Sequence, residues 1–173
     1  MGLRLFFGIP LPHRQAEIIA AWRDSLTLRG RPVAASNLHL TLVFLGDQPA
    51  DRLAELSEIA SRIKASQFSL TLDRLTISHH GLLALGPASP PSALLDLESQ
   101  LRGGLLACGY PLDTRDFWPH VTLARRCLVR PGLSAPSYAC QIERFVLYQS
   151  INGGRGMAYI PLLHWLLGRR EED

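Results

Sequence analysis

The sequence predicts an α+β protein built from two similar lobes, and three observations lead to that expectation. Runs that alternate apolar with polar residues, the period of a half-buried strand, interleave along the chain with runs at helical spacing. Two short stretches echo each other: Asn37-Leu38-His39-Leu40-Thr41-Leu42 and Trp118-Pro119-His120-Val121-Thr122-Leu123. The histidines of the two stretches stand 81 positions apart, and a helical pattern precedes each. The economical arrangement sets the two strands side by side about a pseudo-two-fold axis.

The elements follow in order. Residues 3–9 are apolar and aromatic, closed by Pro10 and Pro12, as in a buried strand. Ile18, Ile19, Trp22 and Leu26 define an amphipathic helix over 14–28, ending before Gly30. The first His/Thr strand runs to Leu45 and stops at Gly46-Asp47. Pro49 opens a second helix, with Leu53, Leu56, Ile59, Ala60 and Ile63 on one stripe. Residues 68–77 alternate as one strand; His79-His80-Gly81 is a turn, and 82–85 a short return strand. After Pro90-Pro91, Leu94, Leu97, Leu101 and Leu105 mark a third helix ending near Gly109. The second His/Thr strand covers 120–125, and the proline- and glycine-containing stretch 130–136 reads as a loop. Residues 143–148 and 157–167 form two last strands joined by a glycine-rich tip at 151–156, and a charged tail follows from Arg169.

A chain of 173 residues suits one domain, here residues 1–173 as a single bilobal unit. Hydrophobic residues at 47% with 19% charged exclude a disordered chain. Eighteen Lys and Arg against fifteen Asp and Glu give a net charge of +3, and Lys64 is the sole lysine. Arginine matches phosphate with two parallel hydrogen bonds, so this bias is compatible with a nucleic-acid ligand. Cys108, Cys127 and Cys140 form no CxxC, which argues against a disulfide framework or a zinc knuckle. No stretch approaches the roughly 20 apolar residues of a membrane span, and the first ten residues do not make a signal peptide. A soluble, cytoplasmic protein is expected.

In a strand, residues i and i+2 share a face. His39 and Thr41 therefore oppose Leu38, Leu40 and Leu42, and His120 and Thr122 oppose Val121 and Leu123. Two histidines facing one cleft supply a general acid and a general base near neutral pH. The threonine hydroxyls are donors for an anionic phosphate oxygen. Phosphodiester cleavage fits this set, because the leaving alkoxide needs a proton and the non-bridging oxygens need donors. A metal site on His39 and His120 would lack the further carboxylate or thiolate ligands that it wants. Bland roles compete at the other positions. Thr is a good strand former, Arg125 could be a solvated strand end, and Phe44 could pack in the core instead of stacking a base. His79 and His80 read as surface, His164 as structural, and His13 has no partner pattern.

His39-Leu40-Thr41-Leu42 and His120-Val121-Thr122-Leu123 resemble the paired HxTx motifs of the 2H phosphoesterase superfamily. The context resembles its RNA 2′,3′-cyclic phosphodiesterase branch, also called 2′-5′ RNA ligase: Arg4-Leu5-Phe6-Phe7-Gly8-Ile9-Pro10 at the start, the segments 37–46 and 117–126, and Leu147-Tyr148-Gln149-Ser150 near the end. The resemblance implies a bilobal fold in which two antiparallel sheets line a central cleft, with helices outside. It implies hydrolysis of a terminal RNA 2′,3′-cyclic phosphate to a 2′-phosphomonoester by a monomer needing no metal or cofactor, with reversible 2′-5′ ligation as a related activity. By that likeness His39 is the proton donor and His120 the acceptor, Thr41, Thr122 and Arg125 bind the phosphate, and Phe44 and Tyr148 are candidates to stack a base. Two departures stand out: Val43, where some relatives have a basic residue, and Trp165-Leu166-Leu167 in place of Trp-Pro-Leu. The competing readings are a non-catalytic RNA-end or nucleotide-binding module, and a phosphodiesterase for 2′-5′ oligonucleotides or small cyclic nucleotides.

Overall fold

The computed structural model describes residues 2–128 and 132–169. Its elements are β1 (Gly2–Pro10), α1 (His13–Ser25), β2 (Arg31–Pro32), β3 (His39–Pro49), α2 (Leu53–Ser61), β4 (Phe68–Leu72), β5 (Arg74–Ile77), β6 (Leu83–Gly86), α3 (Ser92–Ala107), β7 (Val121–Arg125), β8 (Tyr138–Ile142), β9 (Arg144–Asn152) and β10 (Met157–Leu166). The main sheet is antiparallel in the order β10-β9-β1-β3-β7-β6-β5, with β2 also paired to β7. It is two half-sheets: β3 and β7 are joined at a single pair, Leu40 opposite Val121. β4 and β8 form a separate two-stranded ribbon.

That one pair sets the symmetry of the molecule. Leu40 follows His39, and Val121 follows His120. An antiparallel register through equivalent residues puts a local two-fold axis at the seam. Carried one residue either way, it sets His39 across from Thr122 and Thr41 across from His120.

Both motif strands contain a bulge at the same place. The β1–β3 register shifts so that Gly8 faces Thr41 and Phe7 faces Val43. The β6–β7 register shifts so that Ala84 faces Thr122 and Leu83 faces Ala124. An extra residue reverses the side on which every later side chain falls. Val43 and Ala124 thus turn into the core, while Phe44 and Arg125, each five residues after its histidine, turn outward.

The helices cover the apolar side. α2 and α3 pack on each other and lie against β10 and β3, respectively. Gly104 permits their approach, since a Cβ there would stand 3.0 Å from Ile59 Cγ2. α1 serves the other half: its buried Arg23 donates to the backbone carbonyls of Val33 and Leu123. The core between the sheet and the helices is built from Leu5, Phe7, Leu40, Leu85, Leu97 and Leu123, among others.

Several boundaries differ from expectation. The strand expected over 68–77 is two, because the chain turns at Asp73. The Asp73 backbone N–H donates to the Gly86 carbonyl, and its carboxylate accepts the Ala88 N–H at 2.8 Å. β4 is thereby free to pair with β8, a strand the sequence reading missed. Gly46 does not end β3; at φ +71° it forms a bend within the strand, which continues to Pro49. The second helix begins with a 3₁₀ turn, Ala50–Arg52, before α2. Residues 129–131, which include part of the expected loop, and the tail from residue 170 lie outside the described residues. Among the described residues no helix is long and apolar enough to cross a membrane.

Candidate active site

The two motif strands open onto a cleft of about 420 Å³ at the seam. His39, Thr41, His120, Thr122 and Arg125 all line it, as the sequence predicted, and so does Phe44. The two imidazoles are held alike. Nδ1–H of His39 donates to the Asn37 carbonyl at 2.7 Å, and Nδ1–H of His120 to the Trp118 carbonyl at 2.8 Å. Each ring is thus tied to the residue two positions before it. A carbonyl can only accept, so each neutral ring holds its proton on Nδ1 and leaves Nε2 as an acceptor. His39 Nε2 lies 3.1 Å from the Thr41 hydroxyl. Among the described residues the Thr122 hydroxyl has no hydrogen-bond partner.

Burial pushes both imidazoles below the ordinary histidine value, and the two hydrogen bonds to backbone carbonyls oppose that shift in part. The positive charge of Arg125 lowers both further, and His120 also lowers His39. The protein's own groups therefore hold both histidines toward the neutral form. An anionic ligand in the cleft would draw protons onto them.

The rings around the histidines differ, and the sequence reading missed most of them. Phe6 lies 4.9 Å from His39, ring centre to ring centre, and Tyr159 meets His39 edge-on at 4.8 Å. On the other side the half-exposed Trp118 stacks on His120 at 3.8 Å, with the planes 21° apart. Its position, two residues before the histidine, was the available signal. Arg4 places its guanidinium 4.8 Å above the Phe44 ring. Asn37 adds a second restraint: its side-chain amide donates to the Met157 carbonyl at 3.0 Å, tying β10 to the segment that holds His39.

Two expectations need correction. Tyr148 is buried beneath Phe6, with ring centres 5.1 Å apart and the planes 20° from parallel, and it does not line the cleft. Burial pushes its hydroxyl up to about 12. The Phe6 ring covers the Tyr148 ring, and Gly8 makes room for it: a Cβ at Gly8 would stand 3.3 Å from the Phe6 ring. Val43 is also a core residue and has no bearing on ligand contacts. Among the described residues no group of three or more His, Cys, Asp or Glu side chains is placed to hold a metal ion.

The model of the 2′-5′ RNA ligase superfamily matches residues 10–150. The chain belongs to this superfamily. A curated member from Escherichia coli K12, named RNA 2′,3′-cyclic phosphodiesterase, is 37% identical over 95% of this chain and 96% of its own. The crystal structure of E. coli LigT in apo form aligns with a TM-score of 0.88 at 37% identity, covering 96% of this chain and 98% of that one. LigT complexed with 3′-AMP aligns with a TM-score of 0.84 at 38% identity, over 96% and 99% of the two chains. These superfamily structures share the α+β arrangement of antiparallel half-sheets and outer helices described above.

Proposed function

We propose that this protein is an RNA 2′,3′-cyclic phosphodiesterase, hydrolysing a terminal cyclic phosphate to a 2′-phosphomonoester. The observation that supports this most is the matched pinning of His39 and His120, which leaves two Nε2 atoms facing one cleft. The activity named for the E. coli relative agrees with that chemistry. Water entering the cleft gives a proton to His120 Nε2 as its oxygen attacks phosphorus. The bond from phosphorus to the 3′ oxygen breaks, and His39 Nε2–H protonates that oxygen. His120 ends charged and His39 neutral, and exchange with solvent restores the pair.

Thr41, Thr122 and Arg125 bind the non-bridging oxygens. The hydroxyl of Thr41, now beside His39 Nε2, turns to the phosphate when substrate enters. Phe44, about half exposed, offers one ring face to the terminal base while Arg4 covers the other. With a 5′-hydroxyl in place of water, the same two transfers yield a 2′-5′ linkage. The 173 residues act as one bilobal domain, a cytoplasmic monomer that uses no metal or cofactor.

The test is product analysis of a short RNA ending in 2′,3′-cyclic phosphate, in EDTA, with wild type, His39→Ala and His120→Ala. Wild type should yield the 2′-phosphate alone, and each variant should lose ~10²–10⁴-fold in rate while still binding. A wild type that binds the RNA but leaves it intact would favour a binding module, variants that match an active wild type would remove the paired-histidine mechanism, and an EDTA-sensitive rate would favour a metal site.

A further inference from the structure

The sheet face that holds the cleft holds a second and larger depression, a groove of about 970 Å³. Its floor includes Val146 and Tyr148 of β9 with Pro161 and His164 of β10, and the start of α1 and the end of β8 form the opposite wall. Tyr159 lines both depressions, so the groove and the cleft meet at the ring that touches His39. A 2′,3′-cyclic phosphate ends an RNA strand, which can therefore leave the cleft only on its 5′ side. One exit is needed, and this groove opens beside the catalytic histidine.

The lining suits a single-stranded polyanion. Arg14 and Arg144 are exposed on it, and neither has an acidic partner within ion-pair distance among the described residues. Gln141 adds an exposed amide, and Glu143 is the acidic side chain on the wall. Arginines spaced along a groove follow a phosphate backbone without reading its bases.

We propose that this groove receives the RNA strand on the 5′ side of the cyclic phosphate, with Arg14 and Arg144 contacting its backbone phosphates. This rests on the catalytic reading above and adds to it a preference for oligonucleotides over mononucleotides. The experiment compares a 2′,3′-cyclic mononucleotide with a six-residue RNA ending in the same cyclic nucleotide. The enzymes are wild type, Arg14→Ala/Arg144→Ala, and Arg62→Ala, the last removing one charge just after α2, behind the sheet.

Wild type should favour the hexamer in kcat/KM. The double variant should lose on the order of tenfold on the hexamer and less than twofold on the mononucleotide. For the hexamer, its log KM against log salt should be shallower by about 1.4, near 0.7 for each lost phosphate contact on a single strand. Arg62→Ala should match wild type on both substrates. A wild type indifferent to length, or a double variant affected equally on both substrates, overturns the groove assignment while leaving the catalytic reading intact. A wild type that turns over neither substrate overturns the catalytic reading instead. Fluorescence anisotropy with a labelled hexamer ending in 2′-phosphate then decides on the groove: weaker binding by the double variant upholds it, and equal binding removes it.

Discussion

The two histidines of the cleft are alike in backbone restraint and differ in what surrounds their rings. His39 sits among Phe6 and Tyr159, while His120 lies under the half-exposed indole of Trp118. Acid–base hydrolysis needs His39 charged and His120 neutral, so the rate should trace a bell against pH. In kcat/KM, which reports the free enzyme, the alkaline limb marks the upper ionisation of the coupled histidine pair. Burial and Arg125 lower that ionisation, so the limb should lie below about 6.5. Bound phosphodiester opposes the shift, and the same limb in kcat should lie at higher pH. Replacing Arg125 by Gln should move the kcat/KM alkaline limb upward and raise KM. A limb unmoved in this variant would mean that Arg125 does not act on the pair. At this scale the sequence was informative, because period-2 alternation alone places each His and Thr on one face. The neighbouring rings were less legible, since Phe6 and Tyr159 come from strands whose partners the local pattern does not reveal.

At the scale of the element, the paired bulges do most to shape the cleft. Strict alternation from His39 would aim Val43 at the ligand, and from His120 it would aim Ala124. The added residue in each strand brings Phe44 and Arg125 there instead. Nothing local in the sequence marks either bulge, because a bulge is a property of the register between two strands. Asp73 was hidden for a similar reason: its break in the 68–77 pattern depends on Gly86 and Ala88, more than ten residues away. Gly46 gives a direct test of the β3 bend. At φ +71° a side chain costs about 1–2 kcal/mol even though a Cβ would make only ordinary contact, 3.7 Å from Phe44 Cε1. Gly46→Ala should lower the unfolding free energy in urea by about that amount. An unchanged midpoint would show that the bend relaxes to accept a side chain.

At the scale of the molecule, the half-sheets are joined by one ladder pair, and the relative position of the two histidines depends on it. Leu40 and Val121 are fully buried on the core side of that seam. Leu40→Ala should cost about 2–5 kcal/mol in unfolding free energy. It should also lower kcat more than it raises KM, because the histidines come from opposite sides of the joint. A variant that loses stability but keeps its kcat would show that the seam holds the lobes without aligning the two histidines for turnover. The two-lobe plan was legible from the repeat of His-x-Thr, and belonging to the superfamily agrees with it. The missing strand β8 was not: it pairs with β4, some seventy residues earlier, and follows a proline-containing stretch that reads as loop.

The seam has a further consequence. Three residues of each motif strand face the cleft, and the first two are identical: His39 and Thr41 on one strand, His120 and Thr122 on the other. A ligand rotated by half a turn would meet the same imidazoles and hydroxyls in the same places. The repeated motif therefore has no handedness of its own and cannot decide which oxygen leaves phosphorus. The surroundings differ, with the flat ring of Phe44 at one end and the cation of Arg125 at the other, and with Phe6 and Tyr159 on His39 against Trp118 on His120. Any preference for one orientation of a ligand must therefore come from the neighbours that the two strands do not share, not from the repeated imidazoles and hydroxyls.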